Sequence, residues 1–396
     1  MIWVYAILAL SVLIIIHEFG HFVAAKSTGM HVDVFSIIGI GPVILRLGKW
    51  KGTEFVISAI PFGAYVHIVG MEPEEDETDP KLSAEEKAEI LAEREAAAKK
   101  AKEEGYEDYR DRPAWAQAAA LFGGPFANYL AAILLMVGVF AFVGVPDKVA
   151  VADFQDCSAA EAAGLEEGDL FLEVDGEAVN AANLNKVTGA HLGETVDVKI
   201  RRDGEEMTVP VRLNDQAPAL GIGLVTHFKS IDTGTAIVGG VVGPFAATKK
   251  QLVGLGRMIS GRAEGNVGGP VEIVRQMKLS AEYGLANFVL FAALISTVLG
   301  MFNLLPVPSL DGGRLVFVVW NALVPKKLKV NPITEANIHG YALLALMAFL
   351  LYATWGDIQR LRGGDDDEQD QDCPSWMAKA DDAPDTAAED TTLASD

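Results

Sequence analysis

Four long stretches almost empty of ionisable residues set the first limit on what this chain can fold into. From the start to Lys26 only His17, Glu18 and His21 can carry charge. No Asp, Glu, Lys or Arg lies between Arg112 and Asp147, between Glu282 and Asp311, or between Glu335 and Asp357. A helix needs about 20 apolar residues to cross the hydrocarbon of a bilayer, so each stretch predicts a membrane-spanning helix. A mean hydropathy of +0.24 over 396 residues agrees. Met1 to Ile16 has no basic segment ahead of its apolar run, so it reads as an uncleaved first helix and not a signal peptide. Residues 233–248 are uncharged as well, but Gly-rich and short, and are expected outside the bilayer.

The charge is segregated. Residues 72–112 hold 16 acidic and 8 basic residues, and residues 363–396 hold 12 acidic residues against Lys379. Those two segments carry 19 of the 22 excess negative charges, which leaves the remainder close to neutral. No segment gathers enough Lys and Arg to neutralise a run of phosphates, which excludes a nucleic-acid partner. Cys157 and Cys373 are the only cysteines, too few for a disulfide-built scaffold. The Ala/Glu/Lys-rich run 84–104 predicts a solvated helix, with Ser83 and Glu86 as a capping box. The tail 363–396, rich in Asp, Ala and Thr, predicts disorder.

Lys26, Arg46, Lys49 and Lys51 follow the first span, and Arg314, Lys326, Lys327 and Lys329 follow the third. Basic loops favour the cytosol, which puts residues 146–283 and both termini on the extracytoplasmic side, although Arg360 and Arg362 pull the other way.

At the inner end of the first span the chain reads His17-Glu18-Phe19-Gly20-His21. On a helix His17 and His21 share one face, so two imidazoles can meet one zinc ion while Glu18 acts as a base on its water. Such residues are costly in lipid and mark a functional site by default; the plain alternative is a helix that ends at an interface. A catalytic zinc needs a third protein ligand, for which Asp33, Glu54, His31, His67 and Asp311 are candidates. Two crossings separate the first span from the third, so both run the same way and Asp311 falls at the depth of His21. Asp311 ahead of Gly312-Gly313 could equally be a helix N-cap.

H-E-F-G-H in a first membrane helix, together with Asn303-Leu304-Leu305-Pro306-Val307-Pro308-Ser309-Leu310-Asp311-Gly312-Gly313 near the end of a later one, resembles the site-2 protease family of intramembrane zinc metalloproteases. It is most similar to the bacterial branch that includes the regulator of sigma-E protease. Pro61-Phe62-Gly63-Ala64-Tyr65-Val66 resembles the family's membrane-associated loop, with Ala64 where a glycine is expected. Gly124-Pro125-Phe126-Ala127-Asn128 resembles its second-helix motif, and Gly268-Gly269-Pro270 leads into a similar third span. The resemblance implies zinc held by His17, His21 and Asp311, Glu18 as general base, and Asn303 and Asn128 near the substrate backbone. It also implies a bacterial inner-membrane protein that cuts single-span membrane proteins, for example an anti-sigma factor or leftover membrane anchors. A non-catalytic scaffold is the alternative, against which Glu18 argues, since a structural zinc needs no base.

Between the spans, residues 31–70 alternate in short β-like runs such as Val43-Ile44-Leu45-Arg46-Leu47, Glu54-Phe55-Val56-Ile57-Ser58 and Ala64-Tyr65-Val66-His67-Ile68. They predict a small antiparallel sheet whose edge could hold an unwound substrate by strand addition. Residues 146–232 turn to a soluble α/β pattern. Ser158-Ala159-Ala160-Glu161 is a capping box ahead of a helix ending at Gly164, and Val196 to Ile200 and Thr208 to Val211 flank a turn at Asp203-Gly204. The phrase Ala163-Gly164-Leu165-Glu166-Glu167-Gly168-Asp169 resembles a bacterial PDZ domain, which implies a peptide ligand or a size filter on substrates.

The expected fold class is thus an α-helical integral membrane protein of four transmembrane helices, with a small membrane-associated β-sheet and an inserted α/β PDZ-like domain. Its parts are a first transmembrane helix (1–26), a β loop (27–71), an acidic helical insert (72–112), a second transmembrane helix (113–145), the PDZ-like domain (146–232), an amphipathic linker at the membrane surface (233–283), the third and fourth transmembrane helices (284–362) and the acidic tail (363–396). The lipid bilayer and single-span membrane proteins are the expected partners.

Overall fold

The computed structural model describes residues 2–60, 63–71, 99, 102–103, 105–155, 157–181, 183–216, 218–261 and 269–367. Among them, four helical stretches are long and apolar enough to cross a membrane: Ala6–Ser27, Ala114–Phe142, Leu285–Asn303 and Lys326–Gln359. The chain divides into two units, residues 1–142 with 231–358, and residues 143–230 with 359–396.

In the first unit, α1 (Ile2–Ser27) and α2 (Ala114–Phe142) cross with almost nothing between their backbones. A Cβ on Gly20 would strike the Gly123 carbonyl and come within 2.6 Å of the Ala127 Cβ; one on Gly123 would lie 2.7 Å from the Ala24 Cβ. Helices in lipid gain little from hydrophobicity alone, so small residues that allow close packing decide where they meet. This crossing sets the second half of α1, with His17 and His21, against Gly124 and Asn128 of α2. The first half of α1 packs through Ala6 and Leu13 on Met277 of a short helix and on Ile295 of α7 (Leu285–Asn303).

The segment after α1 forms a four-stranded sheet from β1 (Val32–Ile38), β2 (Ile40–Trp50), β3 (Thr53–Ile60) and β4 (Tyr65–Ile68), in the order β2-β3-β1-β4. The sheet is mixed and not wholly antiparallel, because β1 and β3 run parallel. The chain turns at Gly39 (φ +87°), where a Cβ would sit 2.5 Å from the Ile60 carbonyl oxygen, and runs out as β2; the hairpin through Lys51-Gly52 then returns β3 into the place beside β1. Ser36 and Ser58 share a buried hydroxyl contact of 3.0 Å between those parallel strands. Phe22 of α1 meets Phe35 and Phe55 at ring separations of 5.4 and 5.7 Å, which anchors the sheet to the helix that carries the histidines.

The expected linker 233–283 contains two helices packed on the apolar bundle. Helix α5 (Thr233–Ile259) runs antiparallel beside α2: Gly240 sits against Val137, Gly243 against Met136, and Thr248 shares a 2.7 Å hydroxyl contact with Tyr129. Gly240 and Gly243, in the Gly-rich stretch expected outside the bilayer, are what let it approach α2 closely. Helix α6 (Pro270–Glu282) has its first turn capped by a carboxylate from α9 (Pro332–Asp367), since the N–H groups of Gly269 and Glu272 donate to Asp357 at 3.0 Å each. Helix α8 (Asp311–Leu323) follows α7 after a tight loop. Helix α9 continues to Asp367, past the expected end of the span at 362, and the rest of the expected tail lies outside the described residues. So does the expected helix 84–104, apart from Lys99, Lys102 and Glu103, which are helical.

The second unit holds β5 (Val145–Phe154), β6 (Leu170–Val174), β8 (Thr195–Arg202), β9 (Glu205–Arg212) and β10 (Ile222–Lys229) in the order β10-β5-β6-β8-β9, with β7 (Glu177–Ala178) paired to β6. Its core gathers Phe171, Leu184, Ile200 and Leu213 under α3 (Ala159–Ala162) and α4 (Leu184–Gly189). Ser158 accepts the Glu161 N–H and so caps α3 as its sequence predicts. Asp169, almost fully buried, takes a bidentate pair from Arg202 (2.7 and 2.6 Å) and accepts the Glu166 N–H at 2.8 Å, tying the loop 164–169 to β8.

Candidate metal centre

One face of α1 presents both imidazoles to the first turn of α8. His17 Nε2 and His21 Nε2 are 3.1 Å apart, and Asp311 Oδ2 lies 3.1 Å from the former and 3.3 Å from the latter. Zinc bonds to nitrogen or oxygen are about 2.0–2.2 Å long, so the donors of a tetrahedral site stand about 3.3 Å apart, the size of this triangle. These three are also the one group of three or more His, Cys, Asp and Glu among the described residues that could hold a metal ion. Both histidines are buried. Three lone-pair donors turned toward one another repel unless a cation or a proton sits among them, so the donor set itself asks for a positive charge.

The other ring nitrogens fix the tautomers. His21 Nδ1 lies 2.8 Å from the carbonyl of Ala120 and can only donate to it, which leaves Nε2 as the donor atom for a metal. Pro125 has no N–H to give to Leu121, so the helix ladder of α2 is interrupted one residue from that carbonyl. His17 Nδ1 lies 3.1 Å from the amide nitrogen of Asn128, whose Oδ1 is buried with no hydrogen-bond partner among the described residues. When a cation faces His17 Nε2, the ring proton moves to Nδ1, and a half-turn of the Asn128 amide brings Oδ1 to accept it. That exchange keeps one hydrogen bond between amide and ring and holds His17 in the tautomer that offers Nε2 to a metal. Gly124 completes the cradle: a Cβ there would collide with His21 Nε2 and lie 2.8 Å from His17 Nε2.

Asp311 is the first residue of α8, but the cap position belongs to Leu310 and no side chain caps the helix. The N-cap alternative for Asp311 is therefore not what this helix uses. Of the remaining candidate ligands, His67 pairs with Asp33 at 2.6 Å and Glu54 with Arg46 at 3.1 Å, away from the triangle, and His31 is not among its members. Glu18 Oε2 accepts the Val66 N–H of β4 at 3.2 Å, so the strand beside the helix orients this carboxylate. Asn128, expected near the substrate backbone, is fully buried and lies against His17. Asn303 donates to the Leu299 carbonyl of its own helix at 3.0 Å. The roles of Ala120 and Gly124 are invisible in sequence, since the first acts through its carbonyl and the second through the side chain it lacks.

The sequence model of peptidase family M50 matches residues 5–347, an interval that holds all three donors. The chain is 30% identical over 381 residues to a protein of Agrobacterium fabrum, covering 90% of this chain and 95% of that one. It is 28% identical over 363 residues to one of Clostridium perfringens, covering 90% and 98%. Both are provisionally named zinc metalloproteases. With the zinc metalloprotease RasP of Oceanobacillus iheyensis it shares 26% identity over 419 residues, covering 90% and 98%. A buried donor set sized for zinc, apolar helices around it and a family match along most of the chain agree: this chain belongs to peptidase family M50, the site-2 protease family, and is a multi-pass membrane zinc metalloprotease.

Proposed function

We propose that the protein is an intramembrane endopeptidase that hydrolyses peptide bonds in or near the transmembrane segments of single-span membrane proteins, in a bacterial inner membrane. One observation carries the reading: an H-E-x-x-H face and a distant aspartate converge among helices apolar enough to span a bilayer. His17, His21 and Asp311 hold the metal. Zinc there supplies a Lewis acid for the peptide carbonyl and lowers the pKa of water toward about 7. Glu18 takes the proton of the attacking water at its carboxylate and returns it to the departing amine nitrogen, while Val66 holds its Oε2. Asn128 and Ala120 keep both imidazoles in the metal-binding tautomer.

The sheet 27–71 is the part that meets the membrane surface and the substrate. All 11 residues of β2 are exposed, among them Ile44, Leu45, Leu47 and Trp50 beside Arg46, Lys49 and Lys51, a mixture suited to a headgroup boundary. The unit 143–230 is a PDZ-like module on the extracytoplasmic side, where β10 offers an edge strand to a peptide. The extracytoplasmic placement of both termini follows from the basic loops.

The test compares purified full-length protein with Glu18→Gln in liposomes, using a single-span substrate and counting bound zinc. Loss of cleavage with one zinc retained per chain supports the reading. Zinc bound by both proteins, with cleavage undiminished in the variant, removes Glu18 from the chemistry.

A further inference from the structure

The loop that delivers Asp311 is held from outside by a residue of the fourth span. Val307-Pro308-Ser309-Leu310 forms a turn closed by Leu310 N–H to the Val307 carbonyl at 3.2 Å, with Pro at its second position and Ser309 at φ +81° at its third. That is a type II turn, whose third position favours glycine. A serine there is strained, and the N–H of that residue is not used by the turn itself. Here the Ser309 N–H donates to His339 Nδ1 of α9 at 2.8 Å. His339 is buried, and its ring packs edge-on against Phe317 of α8 at 5.4 Å. Beyond the turn, Gly312 and Gly313 lie directly on the carbonyls of Leu304, Leu305 and Val307, so the start of α8 has no room to shift independently of the loop.

We propose that His339 is a positioning residue for the metal ligand Asp311: by accepting the Ser309 amide it holds an unfavourable turn closed, and the turn fixes where α8 begins. The fourth span thereby takes part in the metal site without touching the metal. The inference rests on Asp311 being a zinc ligand.

Zinc affinity of the full-length protein in detergent, measured by competition with a chromophoric chelator, tests it without relying on cleavage. Outer-shell partners of metal ligands are worth about 10–100-fold in affinity, and His339→Leu is expected to lose that much. His339→Asn, which keeps an acceptor where Nδ1 stands, should stay within about threefold of the parent, whereas His339→Gln, whose acceptor falls nearer Nε2, should resemble Leu. If the Leu variant does not fold, the Asn and Gln pair still decides. In a Ser309→Gly background the loss from His339→Leu should shrink, because glycine forms the turn unaided. Equal affinities for the Asn and Gln variants, or an undiminished loss beside Ser309→Gly, would overturn the proposal. An Asp311→Ala control separates the two claims: unchanged zinc affinity there defeats the ligand reading, while a loss there with none in His339→Leu defeats only the positioning role.

Discussion

His17 and Asp311, 294 positions apart in sequence, bring Nε2 and Oδ2 to 3.1 Å of each other, with His21 3.3 Å from the same oxygen. A carboxylate between two imidazoles at that spacing offers three donors that could hold one divalent cation. Asp311→Asn is expected to weaken zinc binding by more than about 100-fold, beyond what outer-shell changes cost. Stripping the parent protein with a chelator should abolish proteolysis, and stoichiometric zinc should restore it. Titration with a metal-sensitive dye reads the first, and cleavage of a membrane substrate the second.

Asn128 should matter through His17 and not through substrate. Truncation to Ala leaves Nδ1 of a buried ring without its partner, and zinc affinity is expected to fall about 10–100-fold. An effect on KM for substrate with zinc affinity untouched would instead be the signature of the substrate contact that the family resemblance implies.

Gly124 is sensitive to a single carbon. Gly124→Ala pushes a methyl group into both imidazoles, so one zinc per chain should be lost even though the bundle survives an overpacking cost of about 1–3 kcal/mol. Zinc counting beside a thermal melt distinguishes a damaged cradle from an unfolded protein.

In the second unit, Asp169→Ala removes the buried acceptor shared by Arg202 and the Glu166 N–H, although Arg202 keeps Glu166 and the Gly164 carbonyl. The loop 164–169 is expected to loosen, so limited proteolysis should cut this unit first while zinc binding stays at the parent level.

Much of this architecture could be read from local pattern. Charge-free stretches of membrane length mark the four apolar helices because every buried backbone group must be satisfied within its own segment. The i, i+4 spacing of His17 and His21 assigns them to one face before any contact is known, and the capping box at Ser158 and the turn at Asp203-Gly204 need only their near neighbours.

Contacts between distant segments were decided by tertiary structure alone. Residue types alone left five candidates for the third donor; span topology and the family resemblance favoured Asp311, and the meeting of α1 with the start of α8 sets its oxygen beside both imidazoles. The parallel pairing of β1 with β3 depends on a hairpin folding back into a gap, which alternation of apolar residues cannot encode. Helix α5 lies along α2 because its glycines face Val137 and Met136, and a glycine in a sequence does not say what will approach it. The same holds at the centre: Ala120, Gly124 and Asn128 act through a carbonyl, an absent side chain and a buried amide, and each becomes functional only where two helices come close enough to share them.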